Sequence, residues 1–101
     1  MDRLAVGFDW DDGNLAHCRK HGVSRSEVEG LFSSPVIILP DASHSGTEAL
    51  LRAIGRSRRG RAVFVVFTIR QRDGHRVIRP VSARYMHQAE IASYEKENPD
   101  L

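Results

Sequence analysis

Apolar residues alternate with small or polar ones at the start of the chain. Leu4, Val6 and Phe8 are separated by Ala5, Gly7 and Asp9, a period of two that predicts a short first strand. Asp11 then stands where a helix N-cap belongs, with a helix body expected over residues 12–21. Trp10 and Leu15 flank that cap as a hydrophobic staple, and Gly22 offers a left-handed stop. A second start signal follows at once. Ser24 and Glu27 have the S-x-x-E spacing of a capping box, with Val23 and Val28 as its staple. Val28, Leu31 and Phe32 form one apolar stripe, and Pro35 ends the second helix.

Beyond Pro35 the period shortens and the chain reads as strands. Residues 36–39 form a short apolar run closed by Pro40, and residues 41–47 are rich in turn formers, His44 among them. A strand over residues 50–56 should lead into the arginine-rich turn 57–60. Residues 61–70 read RAVFVVFTIR, apolar on both alternating faces, which predicts a central strand. Asp73-Gly74 has the chemistry of a tight hairpin turn, and residues 76–84 supply the partner strand. Pro80 cannot donate to a ladder, so it implies an edge or a bulge there. Met86, Ile91 and Tyr94 mark a closing helix over residues 85–97. The order βααββββα predicts an α+β fold with a mostly antiparallel sheet, and residues 1–101 are expected to form one domain.

Charge changes this picture. Ten of the thirteen arginines lie between Arg52 and Arg84, where Asp73 is the only acid, so that stretch carries a formal +9. The flanking segments are acidic, and the whole chain is only +2. A basic middle between acidic ends points to a polyanionic ligand such as nucleic acid, although a solvated surface with internal ion pairs would leave the same trace. Cys18 is the only cysteine, which excludes an internal disulfide and suits a reducing cytoplasm. The longest apolar run, residues 62–67, is far too short to span a membrane.

Metal and nucleotide chemistries are poorly supported. His17, Cys18 and His21 share a helix but lack the spacing of a zinc site, so no metal and no cofactor are expected. Asp9, Asp11 and Asp12 could attract Mg²⁺, yet helix capping accounts for Asp11 and Asp12. There is no P-loop and no G-x-S-x-G elbow. His21 beside Lys20 reads equally as a proton-transfer group or as a cap for helix carbonyls. His87 stands beside the basic strand and is a further candidate.

Five short motifs then occur in order: FDWD at residues 8–11, KHGVS at 20–24, AIGRS at 53–57, VVFT at 65–68 and SARYM at 82–86. Together they resemble the BrnT family, toxins of a type II toxin–antitoxin system. The resemblance implies a RelE-like α+β fold and a metal-independent endoribonuclease that inhibits growth. It also implies a BrnA-like ribbon–helix–helix antitoxin as partner, with operator DNA reached only through that antitoxin.

RNA carries its own nucleophile, the 2′-hydroxyl, so such a protein must aim that oxygen, move two protons and neutralise charge on the phosphoryl group. Arg56 and Arg84 are the expected charge-neutralising residues, and His21, Lys20 or His87 the proton carriers. Arg58, Arg59, Arg61 and Arg70 would hold flanking phosphates, and Tyr85 would offer a ring for base stacking. Two other readings remain open: a non-catalytic nucleic-acid- or antitoxin-binding protein, and a metallonuclease using Asp9 and Asp11.

Overall fold

The computed structural model describes residues 7–40 and 49–97. Its elements are α1 (Asp12–Arg19), α2 (Arg25–Leu31), β1 (Ile37–Pro40), β2 (Leu51–Arg56), β3 (Ala62–Arg72), β4 (His75–Tyr85) and α3 (Gln88–Glu97). The strands form one antiparallel sheet in the order β1-β2-β3-β4, which makes the fold α+β and broadly RelE-like in its order. Leu4 and Val6 of the expected first strand lie outside the described residues, as does His44. What is described there is a single parallel bridge from Phe8 to Ile78. The Ile78 N–H donates to the Gly7 carbonyl at 2.9 Å and the Asp9 N–H to the Ile78 carbonyl at 2.8 Å, which covers part of the outer edge of β4.

Local chemistry explains both helix starts. Asp11 caps α1 by accepting from the Asn14 N–H, and the Asn14 side chain accepts from the Asp11 N–H in return. Ser24 caps α2 by accepting from the Glu27 N–H. The expected return arm of that second box does not form in this way, because the Glu27 carboxylate turns toward β4. α1 ends two residues earlier than the periodicity suggested, and Gly22 completes the stop with a φ of 86°. α3 begins at Gln88 rather than at Tyr85, because Tyr85 still belongs to β4 and the Met86 N–H donates to the Ala62 carbonyl.

The β3–β4 hairpin turns at Asp73 (φ 52°) and Gly74 (φ 80°), the two positive values a tight hairpin turn requires. Pro80 realises both expectations, since β4 is an edge strand and its register slips beside Pro80. Val66 faces Ser82 while Phe67 faces Pro80, leaving Val81 as the extra residue.

α1 and α2 cover one sheet face. Cys18, Val23, Val28 and Leu31 pack there against Ala53, Val63, Val65, Phe67, Ile78 and Ala83. Phe32 bridges Phe8 and Phe67 edge-on, with ring centroids 5.7 and 5.2 Å away. Gly55 of the AIGRS motif is the contact point between β2 and the end of α2. A Cβ there would lie 3.1 Å from Leu31 and Val36 side-chain carbons and 3.2 Å from the Pro35 carbonyl. Asn14 locks the helices to the sheet, its buried amide donating to the carbonyls of Asp9 at 2.9 Å and Pro80 at 2.8 Å. α3 lies on the opposite face, where Ile91 and Tyr94 approach Ile54, Ala62 and Met86, yet α3 has no buried residue of its own.

Candidate functional site

One end of the sheet gathers most of the residues singled out above. β2 ends there in Arg56, the turn 57–60 reverses the chain, β3 starts at Ala62 and β4 ends at Tyr85. The α1–α2 connection runs beside it, bringing Gly22 against the Tyr85 ring edge. The turn is held by the Ser57 N–H donating to Arg61 and the Gly60 N–H donating to Ser57, both at 2.8 Å. Gly60 takes a φ of 80°, which this turn requires.

On the helix-covered side of this end, the Tyr85 hydroxyl donates to Glu27 Oε1 of α2 and lies 3.3 Å from the Gly22 carbonyl. The Arg61 guanidinium rests on the Tyr85 ring, 3.5 Å from its centroid. The hydrogen bond to Glu27, followed by burial, raises the phenol above its usual pKa, so Tyr85 stays protonated near neutral pH. Glu27 Oε2 is buried without a hydrogen-bond partner among the described residues. Lys20 and His21 are exposed immediately before Gly22. Arg58 folds back over Gly30 of α2, and Arg59 is exposed beside it.

On the opposite side, the arginines are already matched. Arg84 meets Glu90 through two parallel bonds, each 2.8 Å, and its guanidinium lies 4.7 Å from the Phe64 ring centroid. Arg56 donates to Glu95 at 2.7 Å and to the Gly60 carbonyl at 2.9 Å. The Arg84 fork, helped by the His87 N–H, holds the Glu90 carboxyl down to about 2. His87 itself is exposed at the start of α3.

A third group of arginines sits toward the hairpin. Arg72 bonds Asp9 at 2.8 Å and Arg79 bonds Asp11 at 2.7 Å, so both carboxylates are engaged by guanidinium groups, and that of Asp11 by the α1 cap as well. Arg70 lies eight positions along β3 from Ala62, roughly 27 Å at the usual strand rise, and so stands apart from the turn 57–60. In the remaining cluster, at the turn, no carboxylate of the described residues pairs with Arg58, Arg59 or Arg61.

The structure therefore brings Lys20, His21, Arg58, Arg59, Arg61 and Tyr85 to one side of the sheet end, and Arg56, Arg84 and His87 to the other. Glu27 escaped the sequence reading because its spacing fits a helix cap, whereas its partner lies fifty-eight residues away. The Tyr85 ring also differs from the open stacking platform expected, since Arg61 already covers one face of it.

No helix among the described residues is long and apolar enough to cross a membrane. Compared with curated proteins, the chain has no significant match. The sequence model of one family, described as ribonuclease toxin, BrnT, of type II toxin–antitoxin system, matches residues 10–90. That span runs from Trp10, ahead of the α1 cap, to Glu90 on α3, and takes in both sides of the sheet end. The chain thus belongs to the BrnT family of type II toxin–antitoxin ribonuclease toxins.

Proposed function

We propose that this BrnT toxin cleaves RNA without a metal, by driving the 2′-hydroxyl onto the adjacent phosphorus at the sheet end that carries Arg61 and Tyr85. The observation that carries this reading is the unmatched charge of Arg58, Arg59 and Arg61 beside a hydrogen-bonded tyrosine. Elsewhere in the basic stretch, Arg56, Arg72, Arg79 and Arg84 already hold carboxylates. Guanidinium groups without internal partners are the ones able to take phosphate oxygens bidentately.

In this reading Arg61 and Arg59 hold the scissile phosphate, and Arg58 a flanking one. His21 or Lys20 protonates the departing 5′-oxygen. Arg56, Arg84 and His87 surround the far side of the same end, and Arg56 and Arg84 would meet a phosphate only by exchanging their α3 carboxylates for it. Arg70 would serve a phosphate farther along the strand. Destruction of translatable RNA would then stop growth. The family's toxin–antitoxin character implies an antitoxin partner. A BrnA-like ribbon–helix–helix protein would cover the unmatched arginines with an acidic segment and bring the pair to operator DNA.

The test is incubation of the pure protein with a long single-stranded RNA in EDTA. The expected products carry 2′,3′-cyclic phosphate and 5′-hydroxyl ends, and the same strand made of DNA stays intact. Cleavage that stops in EDTA would select the metal-dependent reading, and RNA binding without cleavage would select the binding-only one.

A further inference from the structure

Glu27 sits at the third position of α2, where a carboxylate ordinarily reaches back to the N-cap N–H. Here it points across to β4 instead. One of its oxygens accepts the hydrogen bond of the Tyr85 hydroxyl, and the other is buried with no donor among the described residues. A buried carboxylate oxygen without a donor is costly, and native proteins rarely keep one without a use for it. A purely structural tie between α2 and β4 gains nothing from that orphan oxygen. The same pair is flanked by Arg61 on the Tyr85 ring, and Arg59 lies close enough to act electrostatically on the phenol.

We propose that Tyr85 and Glu27 form the proton-accepting relay of RNA cleavage, with Tyr85 as the catalytic residue and Glu27 as the positioning residue that takes the proton from it. The inference rests on the 2′-hydroxyl reading above and deepens it. The phenolic oxygen donates its hydrogen to Glu27 and keeps a lone pair for a substrate donor. As the 2′-hydroxyl gives its proton to the Tyr85 oxygen, the phenolic proton passes to Glu27 Oε1. The 2′-oxygen then bonds to phosphorus, and the bond from phosphorus to the 5′-oxygen breaks. That 5′-oxygen takes a proton from an imidazolium or ammonium donor, His21 or Lys20. The products are a 2′,3′-cyclic phosphate and a 5′-hydroxyl, with Glu27 left protonated until it loses the proton to solvent. Arg61 stabilises the phosphoryl charge and fixes the ring so that the hydroxyl cannot swing away from Glu27.

Three variants test this on the full chain with long single-stranded RNA: Tyr85→Phe, Glu27→Gln and the double substitution. Each single change should lower kcat by about a hundredfold or more while KM stays within about threefold, the usual scale for loss of a general base. The double variant should be no slower than the worse single, because both changes disable one relay. Tyr85→Phe keeps the ring under Arg61, so it decides the matter if Glu27→Gln fails to fold. A wild-type protein that makes no cyclic phosphate overturns the parent reading. Cyclic phosphate from wild type and an undiminished kcat in folded Tyr85→Phe overturn the relay alone. Multiplicative losses in the double variant also overturn it.

Discussion

The two sides of the sheet end treat arginine in opposite ways. On the α3 side, Glu90 fills the Arg84 fork with both carboxylate oxygens and Glu95 holds Arg56. On the helix-covered side, Arg61 lies flat on Tyr85, and neither it nor Arg58 or Arg59 pairs with a described carboxylate. Every arginine on either side counts the same in a formal charge, yet only one side offers guanidinium groups to an outside anion. A basic stretch therefore locates a binding surface only after the chain's own ion pairs have been set against it.

The sharpest way to break this comparison is to remove one arginine from each side. Arg61→Ala should lower kcat/KM by about a hundredfold, as loss of one charge-stabilising donor typically does. Arg84→Ala should leave kcat within about tenfold and instead lower Tm, because its role is to hold α3 through Glu90. Steady-state kinetics with parallel melting curves decide between them, and the reverse ranking would move the site to the α3 side.

The next largest effect concerns the frame that keeps the two sides in register. Asn14→Ala removes the donors to the Asp9 and Pro80 carbonyls and leaves buried acceptors behind, at a cost of about 1–3 kcal/mol. Tm should fall by roughly 4–8 °C per kcal/mol in a chain of this size, measurable by calorimetry.

Acid titration is a gentler probe of the α3 side. The folded Glu90 pKa, about 2, lies below its ordinary 4.5, so its pairing contributes stability above the higher value and loses it as pH falls toward the lower. Glu90→Gln should flatten the decline of Tm across that window and leave the neutral-pH cleavage rate nearly unchanged. The smallest effect belongs to Arg58→Ala, which should weaken RNA binding modestly and reduce the salt slope of log K by about one. A salt titration of binding reads it directly.

Much of the fold was legible because it is governed by neighbours in sequence. Asp11, Ser24 and Gly22 punctuate the helices as their chemistry predicts, Asp73-Gly74 makes the hairpin, and Pro80 marks both an edge and a bulge. The boundaries of α1 and α3 shifted where long-range pairing won, as when Tyr85 stayed in β4 instead of opening a helix. The candidate site was legible only in part. Its residue types were visible, but nothing local could reveal that Glu27 reaches Tyr85, that Asn14 reaches Pro80, or that the acids of α3 fold back onto Arg84 and Arg56. Those pairings depend on which sheet face each element covers, and the apolar-on-both-faces pattern of β3 leaves that choice undetermined.

Cys18, fully buried between α1 and the sheet, gives the chain a built-in clock for its own opening. Burial pushes its thiol up to about 11, so at neutral pH it carries almost no thiolate and presents no surface to a labelling reagent. Because it is the only sulfhydryl, every modification event reports one passage through a state in which α1 has left the sheet. Measured at increasing reagent concentration, the labelling rate should level off at the rate of that departure. The same trace recorded with an inhibitor or antitoxin bound would show whether the partner tightens the α1 side of the molecule or grips only the α3 side.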